Sequence, residues 1–266
     1  MRKPVVCVLS EIPKVADVIR QSCSTVVSKV TSVEPDNITE KDVKLLDEAE
    51  VIVSEPHFAR HWLYGRPNLK LVHGTWAGID SIMKLISAGG ETPSFKYCKF
   101  GGVFGQPMAE YVVGQIVAHE RNFRLAYKNS NLLHVLIFLS SELRDFMFNE
   151  SRPLNSLSIG ILGFGEIAKK VAEACKAFGM KIWTLVTTVP SDENKCLYVD
   201  EYRPAEGIDE LLASCHYVCN ILPSTQLTRG LLDNEKLKAC SPKCSVFINV
   251  GRGDICTEDS ILQALR

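Results

Sequence analysis

Long apolar runs are missing from this 266-residue sequence. The longest, Leu132–Leu139, is interrupted by His134 and falls short of the roughly 18 apolar residues that a membrane-spanning helix needs. Met1-Arg2-Lys3-Pro4 leads into only Val5–Leu9 before Glu11, so a secretory signal is not expected either. No charge of one sign dominates: 30 basic residues stand against 31 acidic ones. Without a basic surplus to neutralise phosphates, nucleic acid is not expected as a principal partner. Internal repeats and low-complexity segments are also absent. What remains is a globular composition, 46% hydrophobic and 23% charged, long enough for one large domain or two medium ones.

Ten cysteines are present. With no sign of secretion, they are expected to be reduced thiols in a cytoplasmic protein. The pairs Cys215/Cys219 and Cys240/Cys244 have a spacing that could hold a metal. They lack the hairpin context of zinc sites, and Cys219 lies inside the apolar pattern Tyr217–Leu222. They are read as small core residues, and no metal is expected.

Short apolar runs alternate with helical patterns along the chain. Strands are expected at Val5–Leu9, Val26–Val30, Val51–Val53, Leu69–Val72, Ser158–Leu162, Lys181–Val186, Tyr217–Leu222 and Ser245–Val250. Helical stretches are expected at Lys41–Ala49, Ile79–Ser87, Glu166–Phe178 and Ile208–Ala213. This rhythm predicts parallel sheets with helices on both faces, an α/β fold. In Glu166–Phe178, Ile167, Val171, Ala174, Cys175 and Phe178 share one face, and Gly179 stands where a left-handed C-terminal cap belongs. A domain boundary is expected near residue 105, in the Gly- and Pro-bearing stretch 101–107, with a long helix starting around Met108. Residues 129–153 show neither a helical nor a strand period.

Gly163-Phe164-Gly165-Glu166-Ile167-Ala168 matches G-x-G-x-x-G/A between an expected strand and an expected amphipathic helix. That context makes the pattern a dinucleotide-binding turn. Gly163 permits the tight turn, Gly165 lets a pyrophosphate approach the backbone, and Ala168 replaces the third glycine where helix and strand pack. The helix N-terminus offers unpaired N–H groups to the phosphates. About 20 residues on, where an acidic residue would bind the ribose of NAD, stand Val186, Thr187 and Thr188. The missing carboxylate favours NADP over NAD, although no arginine stands there to hold a 2′-phosphate. A second cluster, Ile248-Asn249-Val250-Gly251-Arg252-Gly253-Asp254, ends an apolar strand in a turn bearing one arginine. Strand ends are where ligands bind in such sheets, and a guanidinium suits a carboxylate.

In this order the clusters resemble the D-2-hydroxyacid dehydrogenase family, in particular its glyoxylate/hydroxypyruvate reductase branch. Thr75-Trp76-Ala77-Gly78-Ile79-Asp80 is similar to the family's substrate loop, which implies that the backbone of Trp76, Ala77, Gly78 and Ile79 holds a substrate carboxylate. Gln106-Pro107-Met108-Ala109-Glu110-Tyr111 is similar to the start of its interdomain helix, with Met108 near the nicotinamide. Leu222-Pro223-Ser224-Thr225 through Thr228-Arg229-Gly230-Leu231 is similar to its P-x-T…T-R-G-L stretch beside the cofactor. Asn249 to Gly253 is similar to its N-x-x-R-G segment. The resemblance therefore implies a cofactor site of Met108, Gly163, Phe164, Gly165, Glu166, Ile167, Val186, Thr187, Leu222, Pro223, Thr228, Val250, Gly251 and Arg252, with Arg252 also the catalytic arginine.

The resemblance further implies a flavodoxin-like α/β substrate domain (1–104) and a Rossmann-type doubly wound domain (105–266). It implies NAD or NADP as cofactor, reduction of a small 2-oxoacid to the D-2-hydroxyacid by hydride transfer, and a homodimer. In the family a glutamate and a histidine follow the arginine. Here the six histidines, His57, His61, His73, His119, His134 and His216, all precede Arg252. Both domains are accordingly expected to lack their closing C-terminal segments. A non-catalytic dinucleotide-binding or regulatory protein is the alternative expectation, since the same fold serves both roles.

Overall fold

Central strands buried on both faces read as near-continuous apolar runs, and ten strands, the central ones of this kind, form two parallel sheets in the computed structural model, which describes residues 2–62, 64–88, 93–124, 127 and 151–266. The chain divides into two compact units, Met1–Gly101 and Gly102–Arg266.

The first unit contains β1 (Val5–Leu9), α1 (Val15–Ser22), β2 (Lys29–Val33), α2 (Glu40–Glu48), β3 (Val51–Ser54), α3 (Pro56–Trp62), β4 (Leu71–Gly74), α4 (Asp80–Ser87) and β5 (Lys96–Cys98). The strands are parallel in the order β2-β1-β3-β4-β5, the flavodoxin-like order. Cys7, Leu9, Leu46, Ile52, Val72 and Ile82 form its core. Thr39 caps α2 by a reciprocal pair of bonds with Asp42, which is why that helix begins where its apolar period begins.

One expected strand is displaced. Val26–Val30 was the apparent strand, but β2 is Lys29–Val33. The N–H groups of Val26 and Val27 donate to the Cys23 carbonyl in the turn that closes α1, and Val26 is exposed. Ser28 then donates through both N and Oγ to Pro4. This sets the register with β1 and carries Val33 inside. Local apolar content lost to register here, because a strand's facing is fixed by its pairing.

The second unit contains α5 (Gly105–Glu120), β6 (Ser158–Leu162), α6 (Glu166–Ala177), β7 (Lys181–Leu185), β8 (Glu201–Arg203), α7 (Ile208–Ser214), β9 (Tyr217–Asn220), β10 (Val246–Asn249) and α8 (Glu258–Ala264). Its parallel sheet runs β10-β9-β6-β7-β8. Counted from β6, that is the Rossmann order 3-2-1-4-5, and the order reverses between β6 and β9. Every residue of β6 and β9 is buried, as central strands require. Ala109, Val112 and Ile116, spaced along one face of α5, pack with Ala168, Val171, Ala172 and Cys175 of α6.

α5 starts three residues before the expected Met108. Pro107 sits in its first turn, where a missing N–H breaks no helical bond. α6 ends at Ala177, with Gly179 at φ 78° as its left-handed exit. Phe178, expected on the buried face, is half exposed because it belongs to the cap rather than to the packed turns. Strands β1 and β6 have the expected bounds. The others shift by one to three residues, and α1, α3, β5, β8 and α8 had no counterpart in the expected elements. Of residues 129–153, only 151–153 lie within the described residues.

Candidate functional site

The glycine turn stands at the carboxyl end of β6, at the point where the strand order of the second unit reverses. That is where ligands bind in open α/β sheets. Gly163 has φ 91°, and its N–H donates to the Leu185 carbonyl of β7. A Cβ there would lie 2.8 Å from Leu222 Cδ2, so both the backbone angle and the packing demand glycine. Gly165 differs. Its φ is −99°, and a Cβ would meet nothing within 4 Å among the described residues. It faces open space at the N-terminus of the 12-residue helix α6, whose first turn has no side-chain cap. The unpaired N–H groups of that turn point where an anion is stabilised. The turn therefore fits a dinucleotide pyrophosphate: Gly165 leaves the room, and the helix supplies the donors.

Around this turn the second unit gathers most of the expected residues. Phe164 is partly buried, its ring 6.1 Å from that of Tyr202. Glu166 is exposed and paired with Lys169 at 2.9 Å. Ile167 packs into the core and Ala168 is fully buried, in keeping with the tight helix–strand contact assigned to the third motif position. Val186 follows β7, held by its N–H to the Arg203 carbonyl, and Thr187 is exposed beside it. Arg203 itself lies over the Trp183 ring and is bound to Glu210 and Glu201. Met108 lies in the first turn of α5, next to the start of α6: a Cβ on Gly105 would come 2.9 Å from Lys170 Cγ.

The ends of β9 and β10 are tied together by amides. Asn220 is fully buried. Its Oδ1 accepts from the Leu222 N–H at 3.1 Å, and its Nδ2 donates to Asn249 Oδ1 at 2.9 Å. Asn249 Oδ1 also accepts from the Gly251 N–H, and its Nδ2 donates to the Arg252 carbonyl. The loop carrying Pro223 and Thr228 is linked to the same turn, since Ser224 Oγ donates to Asp254 Oδ2 at 2.6 Å and the Gly230 N–H donates to the Asp254 carbonyl. Leu222, Pro223, Thr228, Val250, Gly251 and Arg252 thus belong to one bonded platform. Its organiser, Asn220, is not among the residues that the sequence pattern singles out. The signal was there: a polar residue closing an otherwise apolar strand.

In the first unit, Thr75 to Ile79 form the turn between β4 and α4. The Thr75 N–H donates to Ser54 and the Phe100 N–H to the Trp76 carbonyl. The N–H groups of Trp76, Ala77, Gly78 and Ile79 have no acceptor among the described residues. Trp76 is half exposed, with its ring 5.0 Å from that of His57. His73 lies on β4, its ring 6.3 Å from Phe100.

The cysteines follow their burial. Desolvation pushes the thiols of Cys175, Cys215 and Cys219 up to about 12, which makes them poor nucleophiles and poor metal ligands. Among the described residues no group of three His, Cys, Asp or Glu side chains could hold a metal. No described helix is long and apolar enough to cross a membrane. A cavity of about 440 Å³ lined by Val117, Glu120, Arg121, Pro153, Leu154, Asn155 and Phe178 lies at the amino ends of β6 and β7 and is lined by none of the candidate residues.

Comparison with solved structures gives the same architecture. A D-isomer specific 2-hydroxyacid dehydrogenase family protein from Aeromonas salmonicida aligns with 100% of this chain and 78% of its own, at 23% identity and a TM-score of 0.81. The D-mandelate dehydrogenase of Rhodotorula graminis aligns at 18% identity and a TM-score of 0.75, over 100% of this chain and 78% of its own. At those identities the likeness is one of fold. An NADPH-dependent glyoxylate/hydroxypyruvate reductase from Sinorhizobium meliloti, solved with NADP and sulfate, aligns at 26% identity and a TM-score of 0.73, covering 99% of this chain and 77% of its own. The sequence profile of the D-isomer specific 2-hydroxyacid dehydrogenase NAD-binding domain matches residues 125–266. That is more than half of the sequence and includes the glycine turn and the Arg252 platform, so the chain belongs to the D-isomer specific 2-hydroxyacid dehydrogenase family, whose members are NAD(P)-dependent oxidoreductases acting on CH–OH groups.

Proposed function

We propose that this protein reduces a small 2-oxoacid of the glyoxylate/hydroxypyruvate type to the D-2-hydroxyacid, with the second unit as the dinucleotide domain and the first as the substrate domain. The observation that carries the reading is the uncapped α6 N-terminus, opened by Gly165 at the strand-order reversal. When bound, NAD(P)H would supply the hydride for C2 of the oxoacid, and the C2 oxygen would take its proton from solvent. Gly163, Phe164, Gly165, Glu166 and Ile167 hold the pyrophosphate through backbone N–H groups. Val186 and Thr187 flank the adenosine ribose. A carboxylate at those positions would repel a 2′-phosphate; Val186, Thr187 and Thr188 carry none, and this supports NADP as the preferred form. Met108, Leu222, Pro223, Thr228, Val250 and Gly251 enclose the rest of the cofactor. The four unmatched N–H groups of Trp76 to Ile79 donate to the substrate carboxylate. Arg252, its backbone fixed by Asn249 and Asn220, polarises the C2 oxygen by a charge-assisted hydrogen bond.

The test is consumption of NADPH and NADH by the purified chain with hydroxypyruvate or glyoxylate, beside a dinucleotide titration. Turnover with either acid supports the proposal, and the two rates give the cofactor preference. Tight dinucleotide binding with no turnover by folded protein would replace it with a binding-only role. Arg252→Ala is expected to reduce turnover far more than dinucleotide affinity; equal losses would contradict the role given to the guanidinium.

A further inference from the structure

Neighbouring parallel strands are usually joined through an α-helix, but residues 186–200, which join β7 to β8, contain only a short 3₁₀ turn at Asp192–Asn194. The two halves of this connection are held differently. The later half is fastened to α6 and β7: Tyr198 Oη donates to Glu173 at 3.3 Å, Lys176 pairs with Asp200, and Asp200 Oδ2 accepts from the Ile182 N–H at 2.7 Å. The earlier half, residues 187–195, follows Val186 and is almost wholly exposed. Its side-chain bonds are local, Asn194 to Ser191 at 2.9 Å and Lys195 to Asp192 at 2.7 Å. Both its ends are held by β8. The Val186 N–H donates to the Arg203 carbonyl, and the Cys196 N–H donates to Tyr202 Oη at 2.8 Å. The Tyr202 ring also stands edge-on to Phe164 in the glycine turn, with centroids 6.1 Å apart and planes at 79°. One side chain therefore joins the turn that opens α6 to the loop that leaves β7.

We infer that Tyr202 is a positioning residue for the dinucleotide, holding the 187–195 loop and the glycine turn so that the adenosine ribose and the pyrophosphate meet a surface already in place. The inference rests on the proposed dinucleotide role of the glycine turn, Val186 and Thr187. A loop fixed before its ligand arrives spares the binding step the entropy of fixing it. Tyrosine suits the task through both of its parts. The phenolic oxygen accepts from the main chain, and the ring packs edge-to-face, which sets orientation as well as distance. Phenylalanine would keep only the second. In the proposed mode the loop lies beside the adenosine half, so loosening it weakens cofactor binding and leaves hydride transfer alone. Loss of one neutral hydrogen bond corresponds to about three- to tenfold in affinity.

The experiment titrates the full chain and its Tyr202→Phe and Tyr198→Phe variants with NADPH and with 2′-phospho-ADP-ribose, the same dinucleotide without its nicotinamide. Tyr202→Phe is expected to raise both dissociation constants by the same factor, about three- to tenfold. Tyr198→Phe, which loses a bond in the later half of the connection, is expected to leave both within about twofold. In turnover with hydroxypyruvate, KM for NADPH should follow the dissociation constant while kcat at saturation stays within about twofold. Hydrogen exchange on the unaltered protein tests the same point without a variant: the Cys196 amide is expected to be protected before any ligand is added. Protection that appears only with NADPH would overturn the inference. So would unchanged affinities in Tyr202→Phe, or equal losses in the two variants; the dinucleotide reading would stand in each case. If neither ligand binds the unaltered protein, that reading falls and this inference falls with it.

Discussion

Replacing Gly163 and Gly165 in turn by alanine separates the two demands made on the dinucleotide turn, since the two glycines meet different ones. At Gly163 an L-residue must adopt φ 91° and place its Cβ 2.8 Å from Leu222 Cδ2. The backbone costs about 1–2 kcal/mol and the overpacking about 1–3 kcal/mol. Reduced freedom of the unfolded chain offsets about 0.4–1 kcal/mol. Gly163→Ala should therefore lose roughly 2–3 kcal/mol, which lowers the unfolding temperature of a unit of this size by about 4–12 °C. At Gly165 neither demand exists: φ is −99° and the Cβ position is open. Gly165→Ala should unfold within about 2 °C of the parent, or slightly above it. Its methyl group instead occupies the path of the pyrophosphate and forfeits about one charge-assisted hydrogen bond, so the dissociation constant for NADPH should rise roughly ten- to hundredfold. Differential scanning calorimetry and a fluorescence titration on both variants read the two effects. A Gly165→Ala protein that melts far below the parent, or binds NADPH unchanged, would refute the assignment of its open side to the ligand. A Gly163→Ala protein of parental stability would refute the steric account of that turn.

Three further outcomes are expected. Asn220→Ala removes the amide that joins Leu222, Asn249 and Arg252; it should cost about 1–3 kcal/mol in stability and lower kcat more than it weakens dinucleotide binding, which steady-state kinetics beside a titration would show. Burial would push the Glu120 carboxyl up, but the Arg152 guanidinium and the Tyr217 hydroxyl outweigh it and hold the group below the ordinary carboxylate range. A depressed acid contributes stability above its unfolded value, near 4.3, and that contribution disappears as pH falls through the folded value. Glu120→Ala should thus be destabilised by about 2–4 kcal/mol at pH 7, with the gap to the parent narrowing in denaturant melts as the pH falls below the unfolded value and through the folded one. His216 is shifted the other way for a base: burial, then Lys243 and Arg152, lower it below 6.5, and its Nδ1 accepts from the Ser158 N–H at 3.1 Å. Because the unfolded chain takes up this proton first, stability should fall as pH drops through 6.5 and on to the folded value. His216→Asn should remove that part of the slope, and an unchanged slope would show that His216 does not carry it.

Much of this was legible in the sequence because several levels of signal agreed at the same residues. From Ser158 to Leu185 a buried strand, a glycine turn, an amphipathic helix and a C-capping glycine follow one another, and each step is a local rule that tertiary contacts had no reason to override. Where the sequence misled, a non-local contact decided. Val26 and Val27 look like a strand, but Ser28 is bonded to Pro4 and so moves the pairing on to Lys29–Val33. Phe178 misleads for a local reason: it has the right period, but its helix has already ended and it belongs to the cap. Asn220 was passed over for another reason. A polar residue after an apolar run reads as the beginning of a loop, and only the structure shows that it is buried while the loop goes elsewhere.

In the second unit a dense polar network and the candidate dinucleotide site lie at opposite edges of one sheet. At the amino ends of β6 and β9, Tyr217 Oη donates to Glu120, Arg152 grips the same carboxylate, His119 Nδ1 lies 2.9 Å from Tyr217 Oη, and Ser158 bonds both His216 and Ser214. These bonds fasten the C-terminal turn of α5 to the strand starts with almost every buried polar atom paired. At the carboxyl ends the pattern reverses: Gly165 opens on empty space, α6 has no cap, and Asn220 and Asn249 spend their bonds positioning backbone rather than closing the surface. A parallel sheet makes such a division available because all its strands end on the same side. Unmatched donors at that edge can wait for a ligand because the polar network at the other edge holds the scaffold. A change in the Glu120 network should therefore move the melting temperature and leave the NADPH dissociation constant of the folded protein within about twofold, whereas a change at Gly165 does the reverse.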